Sequence, residues 1–390
     1  MQDLEITIVG AGIGGLTTAL ALLQSGARVR VYEQAGSLRE IGAGLTITPN
    51  ASHVFRWLGL EQDLDRLGHT PERQAVCHWQ DGRVLVDTPR GRERMQRLYG
   101  AGYYFVHRAD LHELLARAIG NLNPGCIRTG HRFERLEQRE SRPRAIFHNG
   151  AAAEADLLVG CDGLRSAVRT SLFGAESPRF TGYVAWRGLV PVASLPDERF
   201  DPTGCLYIGP GRMIARYLIR NGTLVNYVAF GERSGWSDEG LSIRAEVAEV
   251  LDEFAGWNSH VRNLLAATPP ELCHKWALYD REPLESWSSR AVTLLGDAAH
   301  PMLPFLGQGA AMAIEDAAVL ARAVSASDRI GEALERYERA RRERTRFVML
   351  TAREVVKRFH ATNTDAYDAA AHRTEEALGL FAYDPTTVSL

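Results

Sequence analysis

Apolar positions bunch at the start of the chain: Leu4, Ile6, Ile8 and Val9 make a short β-rich run, followed by Gly10-Ala11-Gly12-Ile13-Gly14-Gly15 and a helix-forming apolar stretch from Leu16 to Leu23. That order predicts strand, tight turn and helix. A second strand, Ala27 to Tyr32, ends at Glu33 and completes a βαβ unit. Residues 42 to 50 read as a loop before a helix over Ala51 to Leu58. From Val76 to Tyr99 no helical period is visible, and turn signals at Asp81-Gly82 and Pro89-Arg90-Gly91 predict antiparallel hairpins. Tyr103 to His107 reads as a strand, and a helix follows from Arg108 to about Ile119 with Asp110 in its first turn. The apolar strand Ala155 to Val159 delivers Gly160-Cys161-Asp162-Gly163.

The middle of the chain is strand-rich. Tyr183 to Arg187, Met213 to Ile219 and Thr223 to Phe230 alternate or run apolar, with Asn221-Gly222 as a hairpin turn. Helical spacing returns over Ile243 to Phe254 and Val261 to Ala267. A buried strand, Ala291 to Leu295, then leads into Gly296-Asp297-Ala298-Ala299-His300-Pro301. Ala310 to Val324 predicts a helix, and Glu332 to Phe359 a longer one with an apolar stripe through Leu334, Tyr337, Phe347, Leu350 and Val355. Its arginines, among them Arg339, Arg341, Arg342, Arg344 and Arg346, interleave with Glu335, Glu338 and Glu343 and read as a solvated face.

Composition narrows the classes. A chain of 390 residues suggests two or three folded units, and 45% hydrophobic with 24% charged residues is ordinary globular usage. A net charge of −3 offers no field to hold nucleic acid or an anionic membrane. The five cysteines, Cys77, Cys126, Cys161, Cys205 and Cys273, form no CxxC pair and read as reduced thiols of a cytoplasmic protein without a metal site. Asp3 and Glu5 sit where a signal peptide would be positive, and no stretch approaches the length of a membrane span.

Gly10, Gly12 and Gly15 form GxGxxG between a strand and a helix, with Glu33 closing the next strand. Ile13 and Gly14 complete the turn. Gly10 allows the turn, Gly12 lets backbone approach a pyrophosphate, Gly15 lets helix and sheet pack, and Glu33 can accept ribose hydroxyls. A nicotinamide dehydrogenase domain would continue with further βα units. This chain breaks into hairpins instead and returns late to a strand followed by Gly296-Asp297, where a carboxylate can bond the ribityl chain of an FAD laid across the sheet.

Taken together, these stretches resemble the FAD-dependent aromatic hydroxylases, the single-component flavoprotein monooxygenases. Besides the fingerprint, the resemblance rests on Cys161-Asp162-Gly163-Leu164-Arg165-Ser166 with Arg169 and on Gly296 to Pro301 followed by Gly307-Gln308-Gly309-Ala310 and Glu315-Asp316. It is supported by the Gly42-Ala43-Gly44 loop and His107-Arg108. The nearest subgroup is that of salicylate hydroxylase, 3-hydroxybenzoate 6-hydroxylase and 6-hydroxynicotinate 3-monooxygenase. The resemblance implies an α/β fold: a Rossmann-type FAD-binding domain (1–75, 100–170 and 281–325), an inserted mainly antiparallel β-sheet substrate domain (76–99 and 171–280) and a C-terminal helical segment (326–390). It implies bound FAD, transient NAD(P)H, and O2 added to reduced flavin as a C4a-hydroperoxide that attacks a phenolic or hydroxy-heteroaromatic ring. Asp162 would serve FAD and NAD(P)H, Asp297 the flavin ribose, and Arg108 the flavin side. Gly44, Gly307, Gly309 and Ala310 would frame the ring, where the start of a helix near Gly309 can stabilise negative charge on reduced flavin.

A positioned proton acceptor on the substrate phenol speeds such a reaction. Candidates are Tyr217 and Tyr227, which flank the Asn221-Gly222 hairpin and can face each other across it, and His300 in the flavin motif. Cys205 and Tyr207 lie on strands expected to cover the flavin. Thr46 and Ile47 are expected near the ring, Trp186 either against FAD or in sheet core, and Arg187 and Arg216 are candidates to hold a substrate carboxylate. Where related hydroxylases carry a histidine, this chain has Gly211-Arg212-Met213. A nicotinamide dehydrogenase and a non-catalytic or sensory flavin module stand as alternatives. Sequence leaves monomer and homodimer both open.

Overall fold

The structure is a computed structural model that describes residues 4–38, 43–138, 142–236, 243–359 and 374–390. Its first layer is a six-stranded sheet in the order Ser288–Ser289, Val292–Leu294, Leu157–Gly160, Glu5–Val9, Arg28–Tyr32, Ile127–Arg128. All neighbours are parallel except the first pair. Parallel strands need both faces covered, which explains their near-continuous apolar sequence. The helices Ile13–Gln24, Arg108–Leu122 and Gly309–Ser325 pack together over one face. Small residues permit the approach: a Cβ added at Gly14 would meet the Ala313 Cβ at 3.0 Å. A three-stranded antiparallel sheet, Phe133–Gln138, Pro143–Phe147 and Ala152–Glu154, adjoins it.

The second layer is an eight-stranded sheet, in order Ile243–Arg244, His274–Asp280, Arg179–Pro191, Leu224–Glu232, Arg212–Ile219, Gly204–Gly209, Arg73–His78, Val84–Pro89. It is antiparallel except where Gly204–Gly209 meets Arg73–His78. One face carries its own core of Trp186, Tyr227, Phe254 and Trp257 beside the helices Val247–Glu253 and Ser259–Ala266. The other face looks toward the first layer. A two-stranded ribbon, Gly44–Ile47 with Tyr104–His107, lies there and touches the sheet where Phe105 stacks on Tyr217, ring centres 4.5 Å apart.

Five expectations change. Within the stretch from 42 to 50 read as a loop, Gly44–Ile47 is a strand, and the helix read over Ile243 to Phe254 opens instead with the strand Ile243–Arg244 and starts only at Val247. Residues 92 to 99 are a helix, Arg92–Tyr99, closed by Gly100 at φ 65°, and not part of a hairpin; only Met95 is buried in it, so it shows no apolar stripe to read. On the Ile330–Phe359 helix, Val348, Met349 and Ala352 are buried while Phe347 and Leu350 are 45% and 39% exposed. Leu334, Tyr337 and Val355 are buried as expected, and between them the stripe runs through Val348 and Ala352 instead of Phe347 and Leu350. Arg341 is fully buried rather than solvated, because two carboxylates of the Gly309–Ser325 helix face it.

Thr374–Leu390 folds back on the body. Leu380 and Phe381 enter the main core, and Arg322 donates to the carbonyls of Pro385 and Val388. Among the described residues no helix is long and apolar enough to cross a membrane, and no group of His, Cys, Asp or Glu is placed to hold a metal.

Candidate active site

Between the two layers lies a cavity of about 570 Å³, within the usual range for small-molecule sites, roughly 300 to 1,000 Å³. Its first wall is the glycine turn. Gly10, at φ 104°, stands behind that wall because a Cβ there would meet the Cys161 carbonyl oxygen at 2.4 Å. Gly15 is pressed on the Gly10 carbonyl, with 2.1 Å for a Cβ. Around Gly12 there is open space, with no heavy atom within 4 Å of where its Cβ would be. Gly12, Ile13, Gly14 and Gly15 all line the cavity. The exposed backbone at the start of the Ile13–Gln24 helix suits a phosphate group.

Facing it is the loop after Val292–Leu294. Asp297 projects into the cavity, while Gly296 is held by the Asp316 carboxylate at 3.1 Å. Asp297 is open to the cavity, yet the protein crowded around the cleft raises its carboxyl above the usual range, against the opposing pull of His300 and Arg108. Gly307, Gly309 and Ala310 continue this wall, with Gly307 left-handed at φ 60° just before the Gly309–Ser325 helix. Gly44 and Arg108 line the opposite side. The Gly44 N–H donates to Asn226 at 2.7 Å, which fastens the ribbon to the large sheet. Gly42 lies outside the described residues.

Five expected site residues stand elsewhere. Glu33 accepts from the backbone N–H groups of Ala11 and Ala35, each at 2.8 Å, outside the cavity lining. Gly10 is the second, as described. The Asp162 carboxylate turns away to accept from Ser166 Oγ at 2.5 Å and from the Ala167 and Val168 N–H groups, so it fastens the start of the Ala167–Phe173 helix. Its neighbours Cys161 and Gly163 are the ones that reach the cavity. His300 is buried with Nε2 2.6 Å from Asp316 Oδ2, behind the loop it was expected to serve from within.

Tyr227 is the fifth. In the strand register Tyr217 pairs with Asn226 and Tyr227 with Arg216, so the two tyrosines lie on opposite faces of the sheet and do not meet across the hairpin. Tyr217 lines the cavity, and Tyr227 packs in the outer core with its hydroxyl 3.0 Å from Thr268 Oγ1. Arg216 borders the cavity, but its guanidinium lies over Phe200 and donates to the Pro202 carbonyl, while Tyr207 and Trp186 sit in the outer core. Cys205 borders the cavity, with its Sγ 2.9 Å from that of Cys77; all five cysteines are free thiols. Thr46 and Arg187 line the cavity, Arg187 over the Trp276 ring, while Ile47 is core.

Sequence reasoning missed Tyr103, Gln74, Arg90 and Glu375, all of which line the cavity. No local motif marks them, because strand edges and the distant C-terminal segment bring them together. Burial, with the Glu375 charge behind it, raises the Tyr103 hydroxyl far above the usual tyrosine range, and burial does the same for Tyr217. Both hold their protons at neutral pH, so Tyr217 can donate to a substrate oxygen but is not the proton acceptor expected of it.

The residues present fit FAD: an open glycine turn at a helix start, a carboxylate projecting into the cleft, and a second helix start beyond it. A model for the FAD binding domain matches residues 3–352. The chain is 40% identical to a 3-amino-4-hydroxybenzoate 2-monooxygenase of Streptomyces platensis over 91% of this chain and 88% of that protein. It is 38% identical to the 6-hydroxynicotinate 3-monooxygenase of Bordetella bronchiseptica, covering 82% of each. The crystal structure of Klebsiella pneumoniae HpxO complexed with FAD and uric acid superposes with a TM-score of 0.86 at 28% identity, covering 97% of this chain and 96% of that one. The chain belongs to the FAD binding domain family, in its branch of flavoprotein monooxygenases.

Proposed function

We propose that the protein hydroxylates a small phenolic or hydroxy-heteroaromatic ring, often carboxylated, with NAD(P)H and O2, in the cytoplasm. The observation that carries this reading is the aromatic slot at the joint of the two layers, where Phe105 and Tyr217 stack beside Thr46 and within one cavity with Asp297. When bound, FAD supplies acceptance of hydride from NAD(P)H and activation of O2 for insertion into the ring.

The chain's own residues do the rest. The N–H groups opening the Ile13–Gln24 helix would hold the pyrophosphate, and Asp297 would accept from the ribityl hydroxyls. The start of the Gly309–Ser325 helix would stabilise negative charge on the ring system by about 0.3 to 2 kcal/mol. Met213, Leu206, Val228 and Phe230 give the cavity an apolar wall that excludes water. Tyr217 Oη, protonated at neutral pH, donates a hydrogen bond to the ring oxygen of the substrate, orienting it and steadying the phenolate from which attack proceeds.

The test is a screen of phenolic acids and hydroxypyridines for acceleration of NAD(P)H oxidation by the FAD-loaded protein, with hydrogen peroxide measured alongside. At least one should stimulate turnover with most of the reducing equivalents recovered in hydroxylated product. Tyr217→Phe should slow ring hydroxylation by about 10- to 100-fold and flavin reduction far less, since one charge-assisted hydrogen bond is at stake. An unchanged hydroxylation rate removes Tyr217 from the chemistry.

A further inference from the structure

Where the C-terminal segment meets it, the cavity is lined by an ion pair, Arg90 with Glu375. Gly12 to Gly15 and Asp297 belong to the first layer, whereas Gln74, Thr88, Arg90, Tyr103, Thr374 and Glu375 line the cavity beside the last two strands of the second, Arg73–His78 and Val84–Pro89. Thr46, Phe105 and Tyr217 lie in the ribbon and sheet that join the two. Arg90 is only 2% exposed and organises this end. Its Nε donates to Gln74 Oε1 at 2.9 Å, Nη1 to Glu376 Oε2 at 2.8 Å and Nη2 to Glu375 Oε2 at 3.3 Å. The guanidinium lies between the Tyr103 and Phe381 rings, 5.5 and 5.1 Å from their centres.

Two consecutive carboxylates are thereby sorted. Glu376 is engaged by Arg90, by Arg94 at 2.7 Å and by the Tyr99 hydroxyl at 2.9 Å, and does not line the cavity. Glu375 lines it, and among the described residues it is bonded through Oε2 to Arg90 alone. A carboxylate has about four acceptor directions, so this one faces the cavity with acceptor capacity to spare. The Arg90 guanidinium, committed to three acceptors, is a scaffold for it rather than a free anchor for a substrate acid.

Resting on the reading of the cavity as an aromatic-hydroxylase site, we propose that Glu375 determines specificity, selecting rings that carry an amino or ring N–H donor toward the C-terminal segment. A ring presenting a donor there satisfies a partly desolvated carboxylate. One presenting only C–H leaves its remaining acceptor directions unfilled, and one presenting a carboxylate sets two anions side by side. A substrate acid group must then point away from this end.

The test compares two probes that differ by one amino group, 3-amino-4-hydroxybenzoate and 4-hydroxybenzoate, binding to the FAD-loaded protein. Dissociation constants come from the change in flavin absorbance, and thermal midpoints are measured in parallel. The wild type should prefer the amino compound by about 10- to 100-fold, the range of one hydrogen bond to a charged group. Glu375→Gln should cut that preference to less than about threefold. Glu376→Gln, the control, should lower the thermal midpoint and weaken both probes equally, with the preference kept. Equal affinities in the wild type, a preference that survives Glu375→Gln, or its loss in Glu376→Gln as well would each overturn the proposal. The underlying reading fails differently: no aromatic would then stimulate NAD(P)H oxidation by the wild type, and this inference would fall with it.

Discussion

Gly12 and Gly15 stand three residues apart and should fail in opposite ways. A Cβ at Gly15 would sit 2.1 Å from the Gly10 carbonyl oxygen, so Gly15→Ala should destabilise the protein with or without cofactor. Gly12 has open space around it and an ordinary φ of −70°, so Gly12→Ala should leave the apoprotein within about 0.5 kcal/mol of wild type. Yet the methyl group points where a pyrophosphate would lie, and FAD affinity should drop roughly tenfold or more. Apoprotein melting and FAD titration separate the two effects. Equal stability losses would mean that Gly12 serves packing and not a ligand.

A second residue-scale prediction concerns Arg341. Burial alone would raise the Glu315 and Asp316 carboxyls, but Arg341 and Arg344 on the first, with His300 and Arg341 on the second, hold both below their ordinary range. Arg341 Nε lies 2.7 Å from Asp316, Arg344 Nε 2.8 Å from Glu315, and Asn50 donates to Glu315 at 2.6 Å. In the unfolded chain such groups titrate near pH 4. Since their folded values are lower, the stability they contribute is complete above about pH 5 and is lost as pH falls through those folded values. Arg341→Met strands buried charge and should cost about 3 to 5 kcal/mol. Because both carboxyls then rise toward or above their unfolded values, the variant should lose less stability than wild type on acidification, so that its acid limb flattens in urea melts across pH. An acid limb as steep as that of wild type would mean that the arginine does not set these carboxyls.

At the scale of elements, the hairpin between Arg212–Ile219 and Leu224–Glu232 shows how much local sequence can specify. Asn221-Gly222 marks the turn, and the chain indeed goes left-handed there, with φ of 48°, 54° and 82° at Arg220, Asn221 and Gly222. Gly222→Ala meets no closer atom than Leu218 at 3.8 Å, so only backbone strain is at stake, about 1 to 2 kcal/mol in a urea melt. Arg220→Ala, which removes the ion pair to Asp110, should cost less, about 0.2 to 1 kcal/mol, because the arginine is 45% exposed. The reverse order would mean that the clamp, not the turn, holds the hairpin. The elements around the glycine turn and the Gly296-Asp297 loop were legible for a related reason: each is set by neighbours in sequence. Register was not. Which of Tyr217 and Tyr227 faces the cavity depends on sheet parity, which no single strand reveals. The helix Arg92–Tyr99 buries one residue and so leaves no period. Arg341 looks like its solvated neighbours until the carboxylates of another helix are laid against it.

At the scale of the whole molecule, the most distant parts of the chain are mechanically joined at the cavity. Phe381, fully buried, meets Tyr99 and Tyr103 edge-on at 5.6 and 5.9 Å and the Arg90 guanidinium at 5.1 Å, while Arg344 donates to the neighbouring Leu380 carbonyl at 3.0 Å and to Glu315. One aromatic side chain thus links the C-terminal segment to the cavity wall, and its neighbour links that segment to the helix that begins at Gly309. Phe381→Ala removes a large core side chain and should cost about 3 to 5 kcal/mol. Because the void opens beside Tyr103, it should also let water into the substrate end, so that more of the NAD(P)H consumed appears as hydrogen peroxide while FAD affinity, set at the glycine turn, changes little. Phe381→Leu, which fills most of the space, should recover most of the coupling. If peroxide release stayed at the wild-type level in a folded Phe381→Ala protein, the C-terminal segment would be a brace for the scaffold and not a wall of the reaction chamber.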